Sequence, residues 1–152
     1  ERIDRRAQLH DFAGGVLDDP FALQDVTVAQ ADFGAGNWIA DLPRELDAVV
    51  SARAIHNLRK LKLIGPVYSQ IFELLRPGGF FLNIERVNFS TPALRRYYRE
   101  LQMKTRGRAA KMDGSAPSLL QQFRLLKRAG FGDIDCFWRE GNTAIVGGFK
   151  KA

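Results

Sequence analysis

The chain lacks several features that are typical of particular protein classes. It contains one cysteine, Cys136, so no disulfide can form within it. No apolar run approaches the roughly 20 residues of a membrane-spanning helix, and the first residues do not follow the order of a secretory leader. We therefore expect a cytoplasmic protein. Cys136 stands in the apolar run 134–138, which predicts a buried structural cysteine.

Charge is unevenly distributed in what is otherwise the composition of one globular domain. Of the 152 residues, 45% are hydrophobic and 26% are charged, and the net charge is +6. Two interpretations of the basic residues remain open: a face for RNA phosphates with stacking aromatics, or the solvated face of a helix, which we favour. The cluster comprises Arg95, Arg96, Arg99, Lys104, Arg106, Arg108 and Lys111, with Tyr97 and Tyr98 among them.

The first half of the chain alternates between helical and extended patterns. Residues 1–12 resemble the end of a helix that stops at Gly14-Gly15. Alternating β-branched residues predict a strand over 26–33, and an apolar core predicts a buried strand over 46–55. Apolar residues at helical spacing predict a helix over 63–75. The turn Pro77-Gly78-Gly79 should end that helix before a strand over 80–87.

The second half predicts two helices and a hairpin. The basic stretch 90–111 should be helical, with Thr91 as its cap and Pro92 in its first turn. A break over 112–117 precedes a helix over 118–129, which Gly130 ends. Strands over 133–138 and 143–149 are separated by too few residues for a parallel crossover, so they should form an antiparallel hairpin. The pattern predicts an open, mostly parallel α/β sheet with an antiparallel C-terminal hairpin.

Four segments in this order resemble the class I S-adenosylmethionine-dependent methyltransferases. Residues 26–33 resemble the family's third strand. Residues 46–58 resemble its fourth strand and the turn after it. The stretch 75–82, with its Leu-Arg-Pro-Gly-Gly, resembles the family's helix end and fifth strand, and 126–149 resembles its terminal helix and hairpin. The resemblance covers most of the chain and implies a Rossmann-like fold.

The resemblance also implies a cofactor and a reaction. We expect S-adenosyl-L-methionine as the cofactor and a small molecule, rather than RNA, as the methyl acceptor. In the family's pattern, Asp32 would accept a hydrogen bond from the adenine amino group, and the backbone amide of Phe33 would meet a nitrogen of the adenine ring. The resemblance also places Ser51 and Ala52 in the cofactor site. We assign no metal ligands. The residues expected to face the substrate are His56, Asn57, Glu85, Tyr97 and Tyr98.

The physical chemistry of these positions supports the same assignment. Ligands of open α/β sheets bind beyond the carboxyl ends of the strands, where Asp32 and Ser51 are expected. An acidic side chain there suits an amine donor, because a charge-assisted hydrogen bond is strong. The alternatives are a helix cap or turn residue for Asp32 and a small residue in a tight bend for Ser51. His56 could be a base, a substrate-orienting residue or a structural residue.

Two of the family's motifs are missing from these residues: the glycine loop after the first strand and the acidic residue after the second. The sequence Gly34-Ala35-Gly36 is no substitute, because too few residues separate it from the next strand for a βαβ crossover. The N-terminal strands are thus expected to be absent. Without them, a gap of about 14 Å would separate strands 26–33 and 46–51.

We therefore expect residues 1–152 to be a single, incomplete methyltransferase domain in which residues 90–117 form a lid. A homodimer or an N-terminal segment would complete the sheet, because the apolar edge of strand 46–51 invites association. The fragment by itself should be inactive. The alternative function is a truncated, non-catalytic fragment or interaction module that cannot hold the cofactor.

Overall fold

The structure is a computed structural model that describes residues 31–33, 36–107 and 116–152. The chain divides into two compact units between Leu42 and Pro43. In the first unit, the rings of Phe33 and Trp38 pack in a T-shaped arrangement with their centroids 4.8 Å apart. The predicted helix over 1–12, most of the strand over 26–33, and residues 34–35 lie outside the described residues.

The described residues of the second unit form four strands and three α-helices. Strand β1 covers Leu46–Ala52 and leads into a short 3₁₀ helix over Ile55–Leu58. Helix α1 covers Leu61–Leu74, and strand β2 covers Leu75–Arg86. The remaining elements are α2 (Pro92–Arg106), α3 (Leu119–Ala129), β3 (Gly132–Glu140) and β4 (Thr143–Phe149).

The four strands form one mixed sheet in the order β1-β2-β4-β3. Strands β1 and β2 are parallel, with α1 as their crossover. Strand β4 inserts between β2 and β3 and is antiparallel to both. The predicted α/β sheet with an antiparallel C-terminal hairpin is therefore confirmed, and in the described sheet the parallel pairing is that of β1 with β2.

The junction between α1 and β2 differs from the prediction, because the strand begins at Leu75, before the Pro-Gly-Gly turn. Leu75 pairs with Leu46, but Phe80 already pairs with Ala48, so the intervening residues bulge out. Gly79 passes close to β1: a Cβ there would lie 2.9 Å from the carbonyl oxygen of Leu46. The bulge therefore requires glycine at this position.

Local sequence signals set the ends of α2 and α3. The Thr91 side chain accepts a hydrogen bond from the Leu94 amide at 3.2 Å, and Pro92 occupies the first turn, as predicted. Ser118 and Gln121 form a reciprocal capping box at the start of α3. Gly130, in a left-handed conformation, ends that helix.

The core lies between the sheet and the helix pair α1 and α3. Helix α1 buries Ile64, Val67, Tyr68, Ile71 and Leu74 on one face. The Tyr68 hydroxyl donates to Gln122 Oε1 at 2.5 Å and accepts from Asn83 Nδ2 at 3.0 Å. Burial raises the pKa of Tyr68, so the hydroxyl stays neutral. This network links α1, α3 and β2 through one buried hydroxyl.

Two expectations for this unit need correction. The strand predicted as buried over 46–55 ends at Ala52, because Arg53 adopts a positive φ of 53° that no strand accommodates. None of its residues is fully buried, and Val50 is 64% exposed. Cys136 is half-buried rather than buried. It packs against the small cluster of Val87, Ala144 and Val146, and a β-bulge follows it before Trp138.

None of the helices that the structure describes combines the length and the apolar character that a membrane crossing requires.

The hydroxyl of Tyr68 should make a measurable contribution to stability. Tyr68→Phe leaves Gln122 and Asn83 without their buried partner, so we expect the free energy of unfolding to fall by about 1–3 kcal/mol. Urea denaturation measures this change. Tyr97→Phe is the matched control, because Tyr97 is 58% exposed, and it should change stability by less than about 0.5 kcal/mol. Equal effects of the two variants would contradict a structural role for the network.

Candidate functional site

The parallel strands β1 and β2 end at the same edge of the sheet, where open α/β sheets bind ligands. After β1, the chain turns at Arg53, whose amide donates to the carbonyl oxygen of Ile84 at 2.8 Å. It then enters the 3₁₀ helix, which is anchored by the buried side chains of Ile55 and Leu58. This turn brings His56 to the end of β2.

Glu85, near the end of β2, is a buried carboxylate with 1% of its surface exposed. Its Oε2 accepts a hydrogen bond from the His56 amide at 2.8 Å. Its Oε1 accepts from the Arg86 amide at 2.8 Å. The His56 ring nitrogen Nδ1 lies 2.7 Å from the same Oε1, in a short contact whose angle departs from the hydrogen-bond direction. A buried carboxylate needs such donors, because burial without them is costly.

The contact with Glu85 gives the two nitrogens of His56 different roles. Nδ1 faces a carboxylate, which favours a proton on that nitrogen. In the neutral ring, Nε2 is then the unprotonated nitrogen and can accept a proton. The His56 side chain keeps 18% of its surface exposed, so the pair has the composition of an oriented general base.

Ser51, the expected cofactor residue on β1, pairs in register with Asn83 on β2. Among the residues that the structure describes, neither the Ser51 hydroxyl nor Asn83 Oδ1 has a hydrogen-bond partner, and both are buried. Buried polar atoms without partners are rare in native proteins. Ala52, the next predicted residue, is exposed, as is Asn57.

Helix α2 borders a cavity of about 840 Å³ at the carboxyl end of β1 and β2. Three groups of residues line the cavity: arginines that follow or end the two strands, residues of α2, and the β3–β4 hairpin. The lining comprises Arg53, Arg86, Tyr98, Leu101, Gln102, Thr105, Arg106, Trp138, Glu140, Gly141, Asn142 and Thr143.

Aromatic packing fixes Tyr98 at this cavity. Its ring stacks on Phe89 with centroids 4.7 Å apart. The guanidinium of Arg139 lies 5.0 Å from the Phe89 ring and 5.9 Å from the Tyr98 ring. Tyr97 meets Tyr98 edge to face and is largely exposed, so of the two predicted tyrosines Tyr98 lines the cavity.

The structure brings some of the predicted residues together and separates others. His56 and Glu85 are in direct contact, and Tyr98 belongs to the cavity. Adjacent residues of a strand point to opposite faces, so Glu85 and the cavity residue Arg86 lie on opposite sides of β2 at the same end. Asp32, which is exposed, and Phe33 belong to the first unit.

Sequence reasoning missed Arg53 and Arg86 at the cavity, and Trp138 on the hairpin. Buried and partly exposed residues alternate along β2 up to Arg86. This alternation could have indicated from the sequence that the Arg86 side chain points away from the core. The positions of Arg53 and Trp138 follow from a positive φ and a β-bulge, for which the local sequence carries no comparable signal.

No protein-family model matches the chain, and no curated protein matches it either. Solved structures do. The S-adenosylmethionine-dependent methyltransferase SibL has a TM-score of 0.59 and 17% identity over 85% of this chain. The corresponding values are 0.57, 16% and 84% for an O-methyltransferase family protein from Burkholderia thailandensis.

A third similar structure is that of human N-acetylserotonin methyltransferase in complex with SAM, with a TM-score of 0.56 and 20% identity over 82% of this chain. The chain spans 37%, 36% and 33% of the lengths of these three proteins, respectively. Identities this low establish the fold alone. The chain has the fold of part of a class I S-adenosylmethionine-dependent methyltransferase.

Proposed function

We propose that this chain is part of an enzyme that transfers a methyl group from S-adenosyl-L-methionine to a small-molecule acceptor. The contact between His56 Nδ1 and the buried carboxylate of Glu85, 2.7 Å long, carries the proposal. It provides a base at the end of the sheet where proteins of this fold bind ligands. The likeness to solved methyltransferases supports the reaction class.

Several residues of the chain fit the cofactor. The Ser51 hydroxyl is a buried polar atom that has no partner among the described residues, and it stands at the end of β1, where the resemblance expects a cofactor contact. Ala52 follows it. Asp32 and Phe33, which belong to the first unit, stay proposed as the adenine contacts that the resemblance implies. When bound, S-adenosylmethionine supplies an electrophilic methyl group.

The residues of the chain supply orientation and a base. Nε2 of His56 accepts the proton that an acceptor hydroxyl or amine loses as its lone pair forms the new bond to carbon. The carboxylate of Glu85 accepts a hydrogen bond from the His56 amide, which keeps the ring at the sheet end. Placing the reactants together supplies much of the remaining rate acceleration.

Helix α2, within the segment 90–117, is proposed as a lid over the cavity at the carboxyl end of β1 and β2. Its side chains are mostly exposed, with Tyr98 and Gln102 as the partly buried exceptions. This distribution suits a helix that packs loosely on the sheet end and covers a ligand.

The single incomplete domain over 1–152 remains our proposal for the domain organisation.

Replacing His56 tests the proposed base. Protein expressed with any sequence that flanks residues 1–152 in its gene should transfer label from methyl-tritiated S-adenosylmethionine to a small-molecule extract of its host. His56→Ala should lower turnover by about a hundredfold to ten-thousandfold, the usual contribution of a general base. Imidazole added to the solution should restore part of the loss, which a merely structural role of His56 would not allow.

Glu85→Gln should lower turnover as well. The side-chain NH₂ of glutamine is a donor, and it would face the backbone N–H groups of His56 and Arg86, which are donors too. Glu73→Gln is the matched control, since the Glu73 side chain is 59% exposed, and it should leave turnover unchanged. Label that stays in the cofactor, or that enters RNA instead of the small-molecule fraction, contradicts the proposed reaction. Unchanged turnover in His56→Ala contradicts the proposed base.

A second prediction concerns the 152 residues by themselves. Two of the three expected cofactor contacts, the glycine loop and the ribose-binding acid, are not among them, so binding energy of at least ~4 kcal/mol should be missing. This corresponds to about a thousandfold weaker affinity. Calorimetric titration with S-adenosylhomocysteine checks it. Micromolar binding by the 152-residue chain would mean that other residues replace the missing contacts.

A further inference from the structure

We propose that the cavity beneath α2 is a binding site for a planar aromatic carboxylate. The proposal concerns binding at the cavity and does not depend on methyl transfer. At about 840 Å³, the cavity is within the size range of small-molecule sites. Its lining combines a positive excess with two aromatic rings, and each of these features favours part of such a ligand.

The positive excess comes from the arginines of the cavity. Three arginines and one glutamate line it, so two positive charges remain uncompensated. Arg106 pairs with Glu140. Among the described residues, the side chains of Arg53 and Arg86 have no ion-pair partner within the lining or outside it. A cleft lined by one sign of charge concentrates ligands of the opposite sign.

The backbone holds these two arginines at the cavity. Arg53 has a φ of 53°, which is unfavourable for a side chain larger than glycine. Its backbone amide donates a hydrogen bond of 2.8 Å to the Ile84 carbonyl oxygen, which retains this conformation. Arg86 pairs with Thr143 across the sheet, and both line the cavity. A backbone outlier kept beside a cavity is a reason to expect function there.

The apolar part of the ligand would meet Tyr98 and Trp138. Tyr98 lines the cavity, and its stack on Phe89 fixes its position there. Trp138 keeps 45% of its surface exposed although it lies on a strand. Aromatic rings bind planar ligands by stacking, and a guanidinium binds a carboxylate through two parallel hydrogen bonds.

Benzoate and its neutral isostere benzamide test the proposal directly. The 152-residue chain contains two tryptophans, so a Trp38→Phe background leaves Trp138 as the fluorescent reporter at the cavity. At constant ionic strength, benzoate should change the Trp138 emission saturably, and benzamide should bind at least about tenfold more weakly. Equal binding of the two compounds, or no saturable response to benzoate, would overturn the proposal.

Variants locate the response at the two arginines. Arg53→Gly removes the guanidinium and keeps a residue that tolerates the positive φ, and Arg86→Gln is a second test that leaves this turn intact. Each should weaken benzoate binding by about tenfold to a hundredfold, as expected for a charge-assisted bond. Arg124→Gln, an exposed position on α3 outside the cavity, should not weaken it. Affinity unchanged in both cavity variants, or lowered equally in Arg124→Gln, contradicts the assignment.

Discussion

The buried carboxylate of Glu85 is the interaction on which the sheet end depends. It receives the amide of His56 at 2.8 Å and the amide of Arg86 at 2.8 Å, and it lies 2.7 Å from the His56 ring. A carboxylate that is 1% exposed is tolerable only while such donors surround it. The turn after β1 is therefore bound to β2 by an acidic group that cannot easily be replaced by an apolar one.

The parallel pairing of β1 and β2 places this local contact at the candidate site. Both strands end at the same edge, and the alternation of side chains along β2 sends Glu85 and Arg86 to opposite faces. One face holds the His56 pair and the other holds the cavity under α2. Two adjacent residues of one strand thus contribute to two chemically distinct environments, one with an oriented base and one with uncompensated positive charge.

The sequence predicted those elements whose signals are local. Strand β4 matches its predicted range, and α3 is bounded by the Ser118 cap and Gly130 as expected. The predicted start of β2 was wrong, because a strand that continues through the Pro-Gly-Gly turn depends on pairing with residues distant in sequence. For the site, histidine and acid could be proposed from their positions in the resemblance. The cavity could not, because it depends on the register of β4 and the packing of α2.

The tautomer of His56 tests most directly the claim that Glu85 orients a base. Proton–nitrogen correlation NMR of ¹⁵N-histidine-labelled protein, at a pH where the ring is neutral, distinguishes the two nitrogens. Comparison with a His56→Gln sample assigns the signals, since His10 is the only other histidine. We expect a protonated Nδ1 and an unprotonated Nε2, and loss of this preference in Glu85→Gln. A proton on Nε2, or an unchanged tautomer in Glu85→Gln, would contradict it.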